Sequence, residues 1–345
     1  MELLPETLFH GWSMSALLGI VAVTLFAVAK GADWLVDGAT ALALRFGVSK
    51  VVVGATVVSL GTTMPEAAVS VMAAWSGKPG LAIGNAVGSI VADTGLIFGL
   101  GCLLSTLPAD RWLLSRQGWV QFGSAAALAG FCYAAFWVDG DAAALTRTVG
   151  IVFLAGLLAY LIASIRWSYQ RHGGPATDDP EPAPGSFRRR IAFATVGVAI
   201  VLLASRILIL AASELAETHW NVPKVVVAGT LVAMGTSLPE LVIGMTAVLK
   251  GQGELLVGNV IGADVLNVLF VVGASAVAAP LPIVETGSTY PRVALIVHLP
   301  AMMAILLLFR IFIACSGRRG AFRRIYGIPL IAIYVAYVLL QFQGG

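Results

Sequence analysis

The chain has 345 residues, 59% of them apolar and only 11% charged, with a formal net charge of +3. A soluble domain carries about 25% charged residues, so this composition excludes an ordinary soluble protein and indicates an integral membrane protein. Three cysteines, Cys102, Cys132 and Cys315, lie far apart, which leaves no disulfide framework and no metal spacing.

The first twelve residues are acidic and lack the basic n-region of a signal peptide, so no cleavage is expected. Apolar runs of about 20 residues can each cross a bilayer. In chain order they fall near 14–44, 50–77, 80–105, 117–138, 147–169, 189–217, 224–249, 254–279, 292–314 and 324–342. The first and sixth exceed what a bilayer needs and are expected to tilt or project. Within the first, Lys30 and Asp33 are three apart and neutralise each other. Cys102 and Cys132 sit in apolar helices as packing residues, and Cys315 falls in a basic loop. His298, alone in the ninth span, reads as a packed core histidine, whereas Arg206 in the sixth has no local acid. Between the fifth and sixth spans, Gly173 to Ser186 is rich in Pro, Gly and acid, which makes a flexible linker.

Alternating the loops sorts the charge. One side collects Arg45, Lys50, Arg111, Arg116, Arg166 and Lys250 with the arginines at 171, 188–190, 318, 319, 323 and 324; the other collects Lys78, Arg147, Lys224 and Arg292 with most of the loop acids. The positive-inside rule makes the first side cytoplasmic and puts both termini outside. Five spans, a cytoplasmic linker and five spans follow, so the two halves have opposite orientation.

Those halves contain one segment written twice. Val51 to Gly99 aligns without a gap to Val225 to Gly273, at an offset of 174 residues (66 to 240), with about a third of positions identical. GTTMPE (Gly61 to Glu66) matches GTSLPE (Gly235 to Glu240), and GNAVGSIVAD (Gly84 to Asp93) matches GNVIGADVLN (Gly258 to Asn267). Pro65 and Pro239 cannot donate a backbone hydrogen bond, and Gly61 and Gly235 add flexibility upstream, so the second span is expected to break around Thr62 to Met64, and its repeat around Pro239, freeing carbonyls. Irregular backbone at membrane depth survives only when buried or lining a hydrated cavity. Thr62 and Glu66 are four apart and share a face, as do Thr236 and Glu240. The following span carries a polar stripe of Asn85, Ser89 and Asp93, repeated as Asn259, Ala263 and Asn267. Gly84 and Gly88, like Gly258 and Gly262, form small-xxx-small pairs that admit a neighbouring backbone. Inverting one copy on the other brings the motifs together near the midplane. The resulting ligand set is oxygen alone, which suits hard cations such as Ca²⁺ or Na⁺. A mid-membrane carboxylate costs at least ~2.5 kcal/mol on insertion scales and is functional by default. Asn85 and Asn259, near span ends, serve equally as braces or ligands.

These motifs resemble the two signature repeats of the calcium/cation antiporter family, which includes the sodium/calcium exchangers. The resemblance spans the whole chain and implies an all-α membrane protein of ten transmembrane helices in two inverted five-helix repeats: residues 1–169, a cytoplasmic linker at 170–188, and residues 189–345. It implies ion sites on the second, third, seventh and eighth helices, past which the first and sixth slide. By that resemblance Thr62, Thr63, Glu66, Ser89, Asp93, Thr236, Ser237, Glu240 and Asn267 are ion-facing, with Glu66, Glu240 and Asp93 supplying the metal-binding charge. Three departures from the family pattern stand out. Ala263 replaces a serine, Asp264 stands where an asparagine is usual, and the stripe ends in Asp93 in the first half but Asn267 in the second.

The expected function is secondary active export of Ca²⁺ from the cell across the inner membrane in exchange for Na⁺, by alternating access. Two other readings use the same residues: a Ca²⁺/H⁺ antiporter of the same fold, in which a buried carboxylate carries the proton, and an intramembrane enzyme with paired carboxylates. The partners expected are the lipid bilayer and the transported ions. Neither a cofactor nor nucleic acid is expected.

Overall fold

The computed structural model describes residues 6–77, 79–172, 184–219, 236–284, 292–316 and 319–343. Lys78, Lys224, Gly235, Glu285, most of the linker and the first part of the seventh expected span lie outside them. The chain is mostly helical. Its main helices are α1 (Met14–Phe46), α2 (Lys50–Thr62), α3 (Met64–Trp75), α4 (Pro79–Leu104), α5 (Arg111–Asp139), α6 (Arg147–His172), α7 (Pro184–Glu214), α8 (Leu238–Leu249), α9 (Gly253–Ala278), α10 (Ala294–Ser316) and α11 (Gly327–Gln343). Among the described residues seven helices are long and apolar enough to cross a membrane, and the bent pair α2–α3 makes an eighth. The segments Leu238–Leu249 and Arg324–Leu340 are apolar but shorter.

Local chemistry sets the boundaries. Ser13 caps α1 by accepting the Ala16 amide, and Gly47 ends it at φ 60°, in the left-handed region, with its amide donating to the Ala43 carbonyl. At 33 residues α1 is about 50 Å long, more than the ~30 Å hydrocarbon core, as its sequence length implied. Ser49 then caps α2 through the Val52 amide, 3.2 Å away. Asp110 caps α5 by accepting the Trp112 and Leu113 amides at 2.9 and 3.2 Å. The helix of the fourth expected span, α5, therefore starts at Arg111, six residues before its apolar run, because a good cap extends it past the hydrophobic stretch. Cys315 is likewise inside α10 and exposed, not in a loop, while Cys102 and Cys132 are buried.

Equivalent elements occupy equivalent positions in the two aligned segments. Met64–Trp75 and Leu238–Leu249 have bounds that differ by the repeat offset at both ends, as do Pro79–Leu104 and Gly253–Ala278. Wider π-helical turns begin at Asp93 and at Asn267, again equivalent positions. These turns carry the last polar residue of each stripe.

Helices α9 and α4 form the centre, α9 buried along nearly its whole length and α4 along most of it. Glycines let α2 lie directly on α9. A Cβ on Gly54 would come 2.6 Å from the Leu255 carbonyl oxygen and 2.9 Å from the Asn259 nitrogen, and methyls on Gly258 and Gly262 would strike the backbones of Val51 and Ala55. Gly84 and Gly88 differ: among the described residues they face the side chains of His298 and Tyr337. His298 Nδ1 and the Tyr337 hydroxyl are 2.8 Å apart, so this histidine is a packed one.

Helices α1 and α7 form an antiparallel pair with its own apolar cluster. Gly31 meets the Gly197 backbone, Trp34 packs on Phe193 with ring centroids 5.1 Å apart, and Leu17 joins Leu210 and Ala211. The pair rests on the centre through apolar side chains, among them Val53, Val58, Ile243 and Ala247. Lys30 and Asp33 do pair, at 3.5 Å, but Lys250 at the end of α8 is the closer partner, 3.0 Å from Asp33 and 2.7 Å from Asp37. That contact ties α8 to α1.

Candidate ion-binding site

The site forms where the bent α2–α3 pair and the start of α8 meet two polar stripes. Between α2 and α3 the chain bends by 46°. The break falls at Thr63 (ψ −3°), while Gly61 remains helical within α2. Gly61 is therefore not the hinge. Its contribution is a carbonyl left without its usual helical donor, because Pro65, four residues on, has no N–H. Ser237 (φ −86°, ψ 3°) occupies the equivalent position immediately before α8, with Pro239 in the first turn. Gly235 lies outside the described residues.

Each break starts a helix whose first turn carries an acid, Glu66 or Glu240, only 1% and 2% exposed. A helix N-terminus favours negative charge, and each carboxylate also interacts with its own backbone amide. The hydroxyls cross over between the two copies: Thr236 lies near the Glu66 carboxylate, and Thr62 near that of Glu240. Thr62 also donates to the Ser59 carbonyl at 3.2 Å. The two motifs therefore build one site and not two.

The stripes close it. Asn85 Nδ2 donates to Ser70 Oγ at 3.0 Å and to the Glu66 carbonyl at 3.4 Å, while its Oδ1 accepts from Thr236 at 3.3 Å. Asn85 thus braces both halves. Ser237 and Ser89 hydroxyls are 3.4 Å apart. Asp93 is buried within the electrostatic reach of Glu240 and Asp264. Asn259, also buried, has neither amide atom paired among the described residues. The reason is local: the residue equivalent to Ser70 is Gly244, so the hydroxyl that holds Asn85 has no counterpart.

Several oxygens around this centre are buried and, among the described residues, accept nothing. They are Thr63 Oγ1, Glu66 Oε2, Asp93 Oδ1, Glu240 Oε2 and Asn267 Oδ1. An unpaired buried polar atom is costly, and a buried carboxylate oxygen without a donor or a cation is costlier still. Among the described residues no three His, Cys, Asp or Glu side chains converge as a metal cluster. The acids Glu66, Asp93 and Glu240 are therefore not a self-sufficient triad. A cation here would draw on hydroxyl, amide and main-chain oxygens as well, which is the ligand class of Ca²⁺ and Na⁺.

Asp264 turns toward its neighbours. Its Oδ2 accepts from the Thr94 hydroxyl at 2.5 Å and from Gln121 Nε2 at 2.6 Å, while Oδ1 is buried and unpaired among the described residues. Thr94, Gln121 and Ser70 escaped the sequence reading. Thr94 and Gln121 lie outside the matching motifs, although a polar residue directly after Asp93 was a usable signal.

Comparison with known proteins agrees with this architecture. The family described as sodium/calcium exchanger protein matches residues 16–166 and 190–343. The putative antiporter CaxA of Alkalimonas amylolytica is 30% identical over 94% of this chain and 98% of its own. The sodium/calcium exchanger MaX1 of Methanosarcina acetivorans is 29% identical over 94% and 97%. Among solved structures, the sodium-calcium exchanger NCX_Mj soaked with Na⁺ and Sr²⁺ superposes with a TM-score of 0.77 at 25% identity, covering 95% of this chain and 99% of that one. With the repeated motifs assembled into one buried oxygen site, and with a family match across both halves, the chain belongs to the sodium/calcium exchanger protein family.

Proposed function

We propose that this protein exports Ca²⁺ in exchange for Na⁺ by alternating access of the site between Glu66 and Glu240. Membership of the family makes it a membrane transporter of the antiporter type and not an enzyme, which sets aside the intramembrane-enzyme reading. The observation that carries the proposal is the set of buried, unpaired oxygens on Thr63, Glu66, Asp93, Glu240 and Asn267, gathered by crossed Thr–Glu contacts. Both ions are hard and take the same oxygens, so they compete for one place, and competition is what couples their movements. Three ionised acids, Glu66, Asp93 and Glu240, balance three Na⁺, or one Ca²⁺ with one proton. Ser89 and Ser237 line the site and Asn85 holds its two halves in register.

The full arrangement in this reading is ten spans in two inverted repeats, 1–169 and 189–345, with residues 170–188 as the linker on the cytoplasmic side of the inner membrane and both termini outside. The equivalent helix bounds and equivalent π turns support it. So does the separate α1–α7 pair, whose apolar contact with the centre is the surface along which one part slides on the other. The test is uptake of radiolabelled Ca²⁺ into proteoliposomes under an outward Na⁺ gradient or an outward H⁺ gradient, imposed separately. Uptake with Na⁺ alone is the expected result. Uptake with H⁺ alone would assign the protein to Ca²⁺/H⁺ exchange.

A further inference from the structure

The arginines around α10 are balanced at one end and not at the other. Arg292, just before the helix, stacks on Phe136 with its guanidinium carbon 5.0 Å from the ring centre, and Asp141 neutralises it, Nη2 to Oδ1 3.0 Å. Arg310 lies inside α10, about 9 Å before its end at Ser316. Its guanidinium carbon is 4.4 Å from the ring centre of Trp119 on α5, and Nη2 donates to Ser115 Oγ at 3.3 Å. A methyl on Gly118 would lie 3.8 Å from its Cδ, so the side chain runs along α5. Among the described residues no acid pairs with Arg310, and Nε and Nη1 are buried without an acceptor. An arginine at membrane depth is almost always paired. Here the described chain leaves its charge unbalanced.

Helix α5 repeats the device beside it. Arg116 stacks on Trp112, 3.8 Å from the ring centre, and donates Nη1 to the Trp112 carbonyl at 3.2 Å, again with no acid paired among the described residues. Trp112, Ser115, Arg116 and Trp119 are three and four apart and share one face of α5. Ser115 links the two arginines. It accepts from Arg310, its own O–H has no acceptor among the described residues, and it lines a groove of ≈ 700 Å³ together with Arg111, Trp112 and Arg116. That is room for a phosphodiester headgroup with its glycerol. Two acids share the groove: Asp110, whose Oδ1 accepts the first amides of α5, and Glu254. Gly320 completes the wall, held there by the Ala109 amide at 2.8 Å, and places the exposed Arg319 next to it in the chain. Trp119, 58% exposed, carries the same face on toward the hydrocarbon.

We infer that this face of α5 and α10 binds one anionic phospholipid, its phosphodiester held by Arg116, Ser115 and Arg310 and an acyl chain lying along Trp119. The planar fork of arginine matches phosphate oxygens, and basic sites at the cytoplasmic surface attract anionic lipids. The headgroup gives Arg310 the counter-charge that Asp141 gives Arg292, and it fastens α5 to α10. The choice of leaflet rests on the orientation proposed above; the binding does not.

Native mass spectrometry of the purified full chain, released from an uncharged detergent with phosphatidylglycerol or phosphatidylcholine at equal concentration, tests the site. Wild type is expected to retain one phosphatidylglycerol about tenfold more tightly than phosphatidylcholine, and Arg116→Gln and Arg310→Gln are each expected to remove most of that preference. Arg45→Gln, which removes a stacked arginine on α1, should leave it unchanged. Arg116 is half-buried on the helix surface, so its variant decides the matter even where Arg310→Gln fails to accumulate. Equal retention of the two lipids by wild type overturns the site, as does a preference that survives Arg116→Gln or falls equally in Arg45→Gln. Inorganic phosphate at the same concentration should not displace the lipid; equal competition would make the groove a free-phosphate site and overturn the lipid. Lipid preference in detergent does not depend on sidedness, so reversed cysteine labelling would refute the orientation and leave the lipid site standing in the other leaflet.

Discussion

The packing of α2 on α9 can be tested with one methyl group. In Gly54→Ala the new Cβ lies 2.6 Å from the Leu255 carbonyl oxygen and 2.9 Å from the Asn259 nitrogen, where ordinary contact begins at 3.4 Å. Both obstacles are backbone atoms of the most buried helix, so no flexible side chain can swing aside. Helix α2 must retreat by about 0.8 Å to restore contact distance, an overpacking strain of about 1–3 kcal/mol. The same shift carries Thr62 away from Glu240, because Thr62 lies two helical turns farther along α2. Gly130→Ala on α5 is the matched control: Gly130 is exposed and no heavy atom lies within 4 Å of its Cβ. Thermal unfolding in detergent should show Gly54→Ala less stable by several degrees, with reduced Na⁺-dependent Ca²⁺ uptake. Gly130→Ala should match or slightly exceed wild type. Equal stability and equal uptake in the two variants would refute direct backbone contact between α2 and α9.

Three further outcomes follow from the same geometry. Glu66→Gln and Glu240→Gln should each reach the membrane normally yet slow exchange by about 100-fold or more, since losing one charge from a buried ion pair costs at least ~3 kcal/mol; wild-type rates at equal abundance would remove these residues from the mechanism. Lys250→Met breaks contacts to Asp33 and Asp37 that are 38% and 58% exposed, so solvent screening limits the loss to about 1 kcal/mol. The Tm difference should shrink at high salt, and a salt-independent loss would mean that Lys250 acts through packing. In a Cys315→Ser background, a cysteine at Arg319 should react with an impermeant thiol reagent only from the cytoplasmic side and one at Asp141 only from outside; labelling of both from one side would contradict the proposed orientation.

Much of this was legible because an internal repeat gives two independent readings of each position. One Pro-Glu in an apolar run is ambiguous, whereas Pro65–Glu66 and Pro239–Glu240 in matching contexts marked both helix restarts. The repeat could not reveal asymmetric features. Asp264 is one: its equivalent in the first half is Ile90, and its partners Thr94 and Gln121 are 170 and 143 residues away. Lys30 and Asp33 were paired correctly by their helical spacing, but Lys250 was invisible, since only tertiary contact brings α8 to α1. The break expected around Thr62 to Met64 falls at Thr63, between the Gly61 carbonyl deprived of its donor and the proline responsible, while Gly61 itself stays helical.

The central claim is that Ca²⁺ and Na⁺ occupy one oxygen site shared by the two halves. Equilibrium binding of radiolabelled Ca²⁺ to the purified protein, titrated with Na⁺, tests it most directly. Na⁺ should displace Ca²⁺ completely, with a cooperativity greater than one, and Glu66→Gln and Glu240→Gln should each abolish the Na⁺-sensitive binding. Ca²⁺ binding that persists at saturating Na⁺, or that survives loss of either glutamate, would contradict the shared site.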